Sequence, residues 1–255
     1  MPGRPGQRTT PDLELVHHGP DAGPEAGPDA GPGPSGTADL QVVHDPTTRT
    51  DEETTVPVAA VDEGRVEHKR RLRRDVRSAR RERQAQAGRA EEVDRDLARV
   101  VLGSAPVAGA RRVACYTSLP GEPGTRTLLN ELRRAGITVL LPVLLPDNDL
   151  DWEQRPAPTG ASAGRGPGPL GPHAIADVDL VIVPALSVDT TGARLGQGGG
   201  SYDRALARVP HRVPVMALVH DEELQDAAVS PLPVEVHDRR VQAVATPTRW
   251  LWLSA

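Results

Sequence analysis

The sequence predicts an α/β protein of three layers, α/β/α, around a mostly parallel sheet. Two observations carry that expectation. Short apolar, β-branched runs alternate with amphipathic helical segments from Arg112 onward. Returning the chain to a parallel neighbour requires such crossovers, which are right-handed. The chain has no Phe and only 2% aromatic residues, so its core must be Val, Leu and Ala, which suits strands buried on both faces.

Residues 1–64 are rich in Pro, Gly, Asp and Thr, with GPD/AGP units repeated between Gly19 and Gly36. Such a composition cannot bury enough apolar surface to offset its ordering entropy, so a disordered extension is expected there. Residues 65–255 are expected to form a single domain. Its first element is a helix from Val66 through EHKRRLRRDVRSARRERQAQ. Leu72, Val76 and Ala79 share one face, and Lys69, Arg73, Arg77 and Arg80 form a cationic stripe on another. That stripe is either a solvated basic face or a means of delivering Lys69 and Arg73 to a polyphosphate. A second helix, residues 90–102, puts Val93, Leu97, Val100 and Val101 on its apolar side.

Strand and helix then alternate. A strand is expected over 112–116, a helix over 126–135 ended by Gly136, and a strand over 137–143 stopped at Pro142. Residues 149–153 read as a short edge strand with Trp152 packed on the sheet, and 161–172 as a mobile Gly/Pro loop. Later come strands at 213–219 and 241–246, a short helix at 221–227, and an apolar tail, 250–253, that packs down.

The most informative stretch is residues 177–204, DVDLVIVPALSVDTTGARLGQGGGSYDR. A buried strand, 178–183, closes at Pro184; a polar loop with Asp189 follows, then Arg194 and four glycines within residues 196–200. No helix or strand interior tolerates that density of glycine. It permits a tight turn and close backbone approach to an anion, with the helix DRALARV adding its N-terminal N–H groups. No Gly-Lys-Ser/Thr closes the loop, so it is not a Walker A motif. Ser201 stands at the last position of Gly196-x-Gly198-x-x, so the dinucleotide fingerprint is incomplete. Asp203 either caps the helix or holds Mg²⁺ beside a triphosphate. Glu122, in the loop leaving the 112–116 strand, either caps the next helix or meets a ligand at the sheet's carboxyl edge. The segment 233–238 adds Glu235, His237 and Asp238.

Composition narrows the function. The net charge is −5 over 255 residues, and there is one cysteine, Cys115. This argues against bulk nucleic-acid or membrane-surface binding, against a disulfide framework and against a cysteine zinc site. A cytoplasmic monomer is expected, with Cys115 a buried structural thiol. Lys69 is the single lysine in a chain that otherwise uses Arg, which singles it out where a compact ammonium is needed.

Together these motifs resemble the 5-formyltetrahydrofolate cyclo-ligase family over residues 67–247. The carriers are the K-x-x-x-R helix, the E-x-x-T loop, LVIVPALSVDTTGARLGQGGGSYDR and P-V-x-x-H-D, in that order. The resemblance implies a NagB/RpiA/CoA-transferase-like fold and ATP- and Mg²⁺-dependent conversion of 5-formyltetrahydrofolate to 5,10-methenyltetrahydrofolate. It implies that Lys69 and Arg73 hold ATP phosphates, with Arg194, Leu195, Gly196, Gln197, Gly198, Gly199, Gly200, Ser201 and Tyr202 completing the nucleotide site. Arg194, Tyr202 and Asp203 take catalytic roles, and Asp203 and Asp238 bind Mg²⁺. Glu122 and residues 197–201 contact the folate. Two positions depart from the family pattern: Ser201 where a second aromatic is usual, and Gln197 where a basic or aromatic residue is. The rivals are an α/β enzyme acting on another phosphorylated or acyl substrate, and a nucleic-acid-binding module built on the arginine helix. The acidic net charge and scarce aromatics count against the latter.

Overall fold

The computed structural model describes residues 58–85, 88–155, 168–235 and 238–253, with side chains from Glu63 onward. The expectations for residues 1–57, for most of the 161–172 loop and for His237 lie outside the described residues.

The central sheet has seven strands: β1 (Arg112–Ala114), β2 (Thr138–Leu144), β3 (Leu150–Arg155), β4 (Leu180–Pro184), β7 (Val215–Leu218), β9 (Ala243–Ala245) and β10 (Trp250–Trp252). Their order is β10-β9-β7-β4-β1-β2-β3. From β9 to β2 every pairing is parallel; the edge strands β10 and β3 run antiparallel. The strands bury both faces. In β4, Leu180 and Ile182 enter one core with Leu97, Val101, Leu128 and Leu132, while Val181 and Val183 enter the other with Ile175, Ala205 and Leu206. The first core lies under α2 (Arg89–Leu102) and α3 (Arg126–Arg134), the second under α4 (Ser201–Leu206) and a 3₁₀ turn, Pro172–Asp177. The three-layer expectation holds.

A small second sheet joins β5 (Ser187–Asp189), β6 (Arg194–Leu195) and β8 (Leu224–Gln225) in the order β6-β5-β8. Against it packs α1 (Val58–Gln84), whose Leu72 and Val76 meet Leu186, Ala193, Leu195 and Leu232. The helix begins eight residues before the expected Val66, through an alanine-containing turn that favours helix despite Gly64. Its apolar face is also narrower than expected, because Ala79 is exposed and Arg80 is buried.

Three further elements differ from the sequence reading. Strand β2 runs through Pro142. There β1 has already ended, opposite Leu140, and only β3 lies alongside, so the missing N–H costs the sheet little. The helix expected at 221–227 is only a 3₁₀ turn, Asp221–Glu223, because the chain is drawn into β8 beside β5. The polar loop around Asp189 is instead a hairpin, β5 to β6. Asp189 is buried and its carboxylate accepts from the N–H groups of Thr191, Ala193 and Leu232 at 2.9–3.1 Å.

Gly192 completes that turn at φ +80°, where an added Cβ would lie 2.3 Å from the carbonyl oxygen of Val241. Gly192→Ala is expected to destabilise the fold by about 2–5 kcal/mol, from the left-handed backbone plus overpacking. An unchanged denaturation midpoint would refute this. Cys115 is buried as expected, and desolvation pushes its thiol up to about 12. It should resist iodoacetamide in the native protein at pH 8 and react once the chain is denatured. Ready native labelling would contradict that burial.

Candidate active site

The carboxyl ends of the parallel strands carry the residues that matter, as the open α/β architecture requires. Helix α1 crosses this edge and lays its cationic stripe on it. Lys69 Nζ lies 2.7 Å from both Glu235 Oε1 and Asp238 Oδ2. One turn on, Arg73 Nε donates to the carbonyl of Gly196 at 3.0 Å. Arg77 then holds Gln197 by its side-chain oxygen and its backbone carbonyl, with Nη2 at 2.9 Å from each. Arg80 donates to Glu223 through Nε (2.9 Å) and Nη2 (2.7 Å), and Nη2 also reaches the carbonyl of Ala185 at 2.6 Å. The solvated-face reading fails for Lys69 and Arg80, which are 7% and 5% exposed, while Arg77 stays exposed. These groups pin the glycine loop, the end of β4 and the 3₁₀ turn at Asp221–Glu223 to one helix.

The glycine loop leaves β6 and turns at Gly198 (φ +101°) and Gly200 (φ +70°). A Cβ on Gly198 would press to 3.4 Å from the Arg73 guanidinium, so glycine there permits both the turn and the close approach of α1. The helix behind the loop has only six residues. It is too short to supply the dipole expected at its N-terminus, and the local positive field comes from side chains instead. Arg194 carries part of it: its side chain is 4% exposed and Nη2 lies 2.5 Å from Asp203 Oδ1. Its buried Nε has no hydrogen-bond partner among the described residues, an orphan donor that an anion would satisfy.

Two cavities lie in this region, the smaller at the loop itself and the larger on the far side of Glu122. The smaller, about 200 Å³, is lined by Lys69, Arg73, Arg194, Leu195, Gly196, Gly198, Gly200, Asp203, Glu235 and Asp238. The structure thus gathers nine of the sequence-predicted positions and adds Glu235. The larger, about 860 Å³, opens beside Glu122 and is walled by the 117–122 loop, α2, α3 and His220. Glu122 and Gln197 join the two sides, with Gln197 Nε2 3.3 Å from Glu122 Oε1. Glu122 does not cap α3, which starts after Thr125; its Oε2 instead accepts from the N–H of Leu119 at 3.0 Å.

Gln197, Gly199, Ser201 and Tyr202 do not line the small cavity. Gln197 points to Arg77 and Glu122, so α1 supplies a guanidinium beside the position where the family pattern has a basic residue. Tyr202 packs against both cores, and desolvation holds its phenol well above the ordinary range. It stays a neutral hydroxyl and serves as packing at the loop's base.

The buried cluster behind the site escaped the sequence reading. Burial alone would raise the Glu223 pKa, but hydrogen bonds and charge from Arg80, with His220 and Arg83, hold it below the usual carboxylate range. Burial lowers the pKa of His220, whose Nε2 sits 3.4 Å from the carbonyl of Gly121. Arg80 and Glu223 were legible only as a helix position and a surface-like acidic run, DEE.

A parallel sheet with an arginine-buttressed glycine loop at its carboxyl edge, beside a small charged cavity and near a large cleft, defines an α/β enzyme for small ligands. The family model of the 5-formyltetrahydrofolate cyclo-ligase family matches residues 65–247. A 5-formyltetrahydrofolate cyclo-ligase of Mycolicibacterium smegmatis is 40% identical over 149 residues, covering 54% of this chain and 75% of its own. The Escherichia coli K12 enzyme of the same name is 32% identical over 177 residues, 64% of this chain and 92% of its own. The solved 5,10-methenyltetrahydrofolate synthetase of Aquifex aeolicus shares the fold with TM-score 0.56 at 23% identity, over 73% of this chain and 93% of that one. That of Mycoplasma pneumoniae gives 0.53 at 17% identity, over 69% and 96%. The chain belongs to the 5-formyltetrahydrofolate cyclo-ligase family.

Proposed function

We propose that the protein converts 5-formyltetrahydrofolate to 5,10-methenyltetrahydrofolate, consuming ATP with Mg²⁺ and releasing ADP and phosphate. The observation that carries this reading is a small charged cavity at the glycine loop, sized for phosphates, and a large cleft sized for a folate, linked by the Gln197–Glu122 hydrogen bond.

The chemistry needs such a division. A formamide oxygen is a very poor leaving group, so N10 cannot displace it directly. The formyl oxygen attacks the γ-phosphorus and ADP departs; N10 then attacks the activated formyl carbon, and the oxygen leaves as phosphate. N10 gives up its proton as the ring closes. Little covalent work falls to the protein, which must align the formyl oxygen with the γ-phosphoryl group and neutralise charge. Lys69, Arg73 and Arg194 would hold the phosphates, and the orphan Arg194 Nε would gain an acceptor. Gly198 and Gly200 let the backbone close over them, while Glu122 would orient the folate from the larger cleft.

The donor set fits Mg²⁺. Asp203 and Asp238 are hard oxygen ligands facing one cavity. Among the described residues no group of three or more His, Cys, Asp and Glu is arranged to hold a metal, so the remaining ligands of such a cation would have to be phosphate oxygens and water. Asp203 and Asp238 would hold it, where it neutralises the phosphates during transfer.

The same reading makes the protein a cytoplasmic monomer without nucleic-acid or membrane partners. Among the described residues no helix is long and apolar enough to cross a membrane. It also places the extension outside the catalytic domain of residues 65–255. Removing residues 1–57, ahead of α1, is expected to leave kcat unchanged, and a large loss would make the extension part of the enzyme. The direct test is near-ultraviolet absorbance of methenyltetrahydrofolate. Product should require both ATP and Mg²⁺; product without ATP, or none from protein that binds both ligands, would reject the reading.

A further inference from the structure

The small cavity holds three cations, Lys69, Arg73 and Arg194, and three carboxylates, Asp203, Glu235 and Asp238. Five of the six are already engaged with one another. Lys69 Nζ is held at 2.7 Å by Glu235 and at 2.7 Å by Asp238, and Arg194 by Asp203 at 2.5 Å. The groups expected to meet phosphate therefore neutralise the groups expected to meet the metal. The side chains of Lys69 and Arg194 are 9% and 4% exposed, so neither can be left unpaired without a large desolvation cost.

This arrangement penalises either ligand alone. Phosphate arriving without a cation must draw Lys69 from its carboxylates, leaving their negative charges beside a polyanion. A divalent cation arriving alone must displace Lys69 from Asp238 and face its positive charge. Arriving together, the two ligands exchange partners, phosphate with Lys69 and Arg194, metal with Asp238 and Asp203. Glu235 is not one of the proposed metal ligands, yet it grips Lys69 as closely as Asp238 does, and a cation beside Asp238 would offset its charge too and so loosen its hold on the ammonium. Its backbone N–H also donates to Asp238 Oδ2 at 2.8 Å, fixing the two carboxylates around one ammonium.

We propose that Glu235 holds Lys69 back from phosphate until a divalent cation is present, and so couples nucleotide binding to the metal. The proposal rests on the assignment of this cavity to MgATP. Glu235 is a positioning residue acting through Lys69.

The test is calorimetric ATP binding to the full chain without folate, in EDTA and in excess Mg²⁺. In the unaltered protein Mg²⁺ is expected to tighten ATP binding by about 10–100-fold, in the usual range of coupling between two sites. Glu235→Gln keeps an oxygen for Lys69 but removes the charge. It should tighten ATP binding in EDTA by about 5–10-fold and shrink the Mg²⁺ effect by the same factor. Glu235→Asp, which keeps the charge, should retain most of the coupling and guards against an effect of shape alone. Unchanged or weaker metal-free affinity in Glu235→Gln, or equal behaviour of the Gln and Asp variants, would overturn the role of Glu235. ATP binding by none of these folded proteins in either condition would overturn the cavity's assignment itself.

Discussion

Asp203→Asn is expected to lower kcat on the order of 10³-fold while leaving the protein folded. The amide keeps an oxygen acceptor for Arg194 at the position now 2.5 Å from Nη2, so the buried guanidinium retains its partner. What is lost is the charge of one of two carboxylates proposed to hold Mg²⁺. Stabilisation of transition-state charge by a metal amounts to several kcal/mol, and each 1.36 kcal/mol is tenfold in rate. Single-turnover kinetics at saturating ATP and Mg²⁺, with circular dichroism as the fold control, decide it. Activity within a factor of about 10, one decade of that scale, would remove Asp203 from the metal site.

Arg80→Met is expected to destabilise the fold by about 3 kcal/mol, or a fall in Tm of about 10 °C for a domain of this size. Methionine fits the space along the stem but leaves the Glu223 carboxylate, 2% exposed, with Arg83 and the His220 N–H as its remaining partners among the described residues. The sign with pH follows from the depressed pKa of Glu223. A carboxyl whose folded pKa is lowered contributes stability above its unfolded value, 4.5, and loses it as pH falls through the folded one. The gap between the two proteins should therefore be full at neutral pH and close as pH falls through and below the carboxylate range. A gap that stays constant with pH would show that lost packing, not stranded charge, is responsible. Activity should suffer as well, because the Arg80 cluster fixes α1, and with it Lys69 and Arg73, against the glycine loop.

The parts legible in the sequence were those written in local patterns. The apolar runs of β4 and β7, the helical periodicity of α2 and the buried Trp152 of the edge strand were visible because each needs only its own residues to be recognised. The glycine loop was legible for the same reason, since four glycines in residues 196–200 have few structural uses. Long-range pairing was not legible. Periodicity puts Lys69, Arg73, Arg77 and Arg80 on one stripe but cannot say whether water or carboxylates lie opposite. Those carboxylates, Glu223, Glu235 and Asp238, come from segments more than a hundred residues away. Helical spacing puts Ala79 on the apolar face, yet the surface α1 meets there is the acid of Glu223, so Arg80 is buried instead. Pro142 read as a stop because the early end of its neighbour β1 is a property of the sheet, not of β2.

The formyl oxygen leaves as phosphate in the proposed reaction, passed from a folate in the large cleft to a nucleotide in the charged cavity. The most direct measurement is oxygen-isotope transfer, using 5-formyltetrahydrofolate labelled with ¹⁸O in the formyl group, ATP and Mg²⁺. The account predicts label in the inorganic phosphate, in step with the methenyltetrahydrofolate formed. Unlabelled phosphate, with the ¹⁸O released to water, would contradict it, since ATP would then be hydrolysed beside the ring closure without activating it.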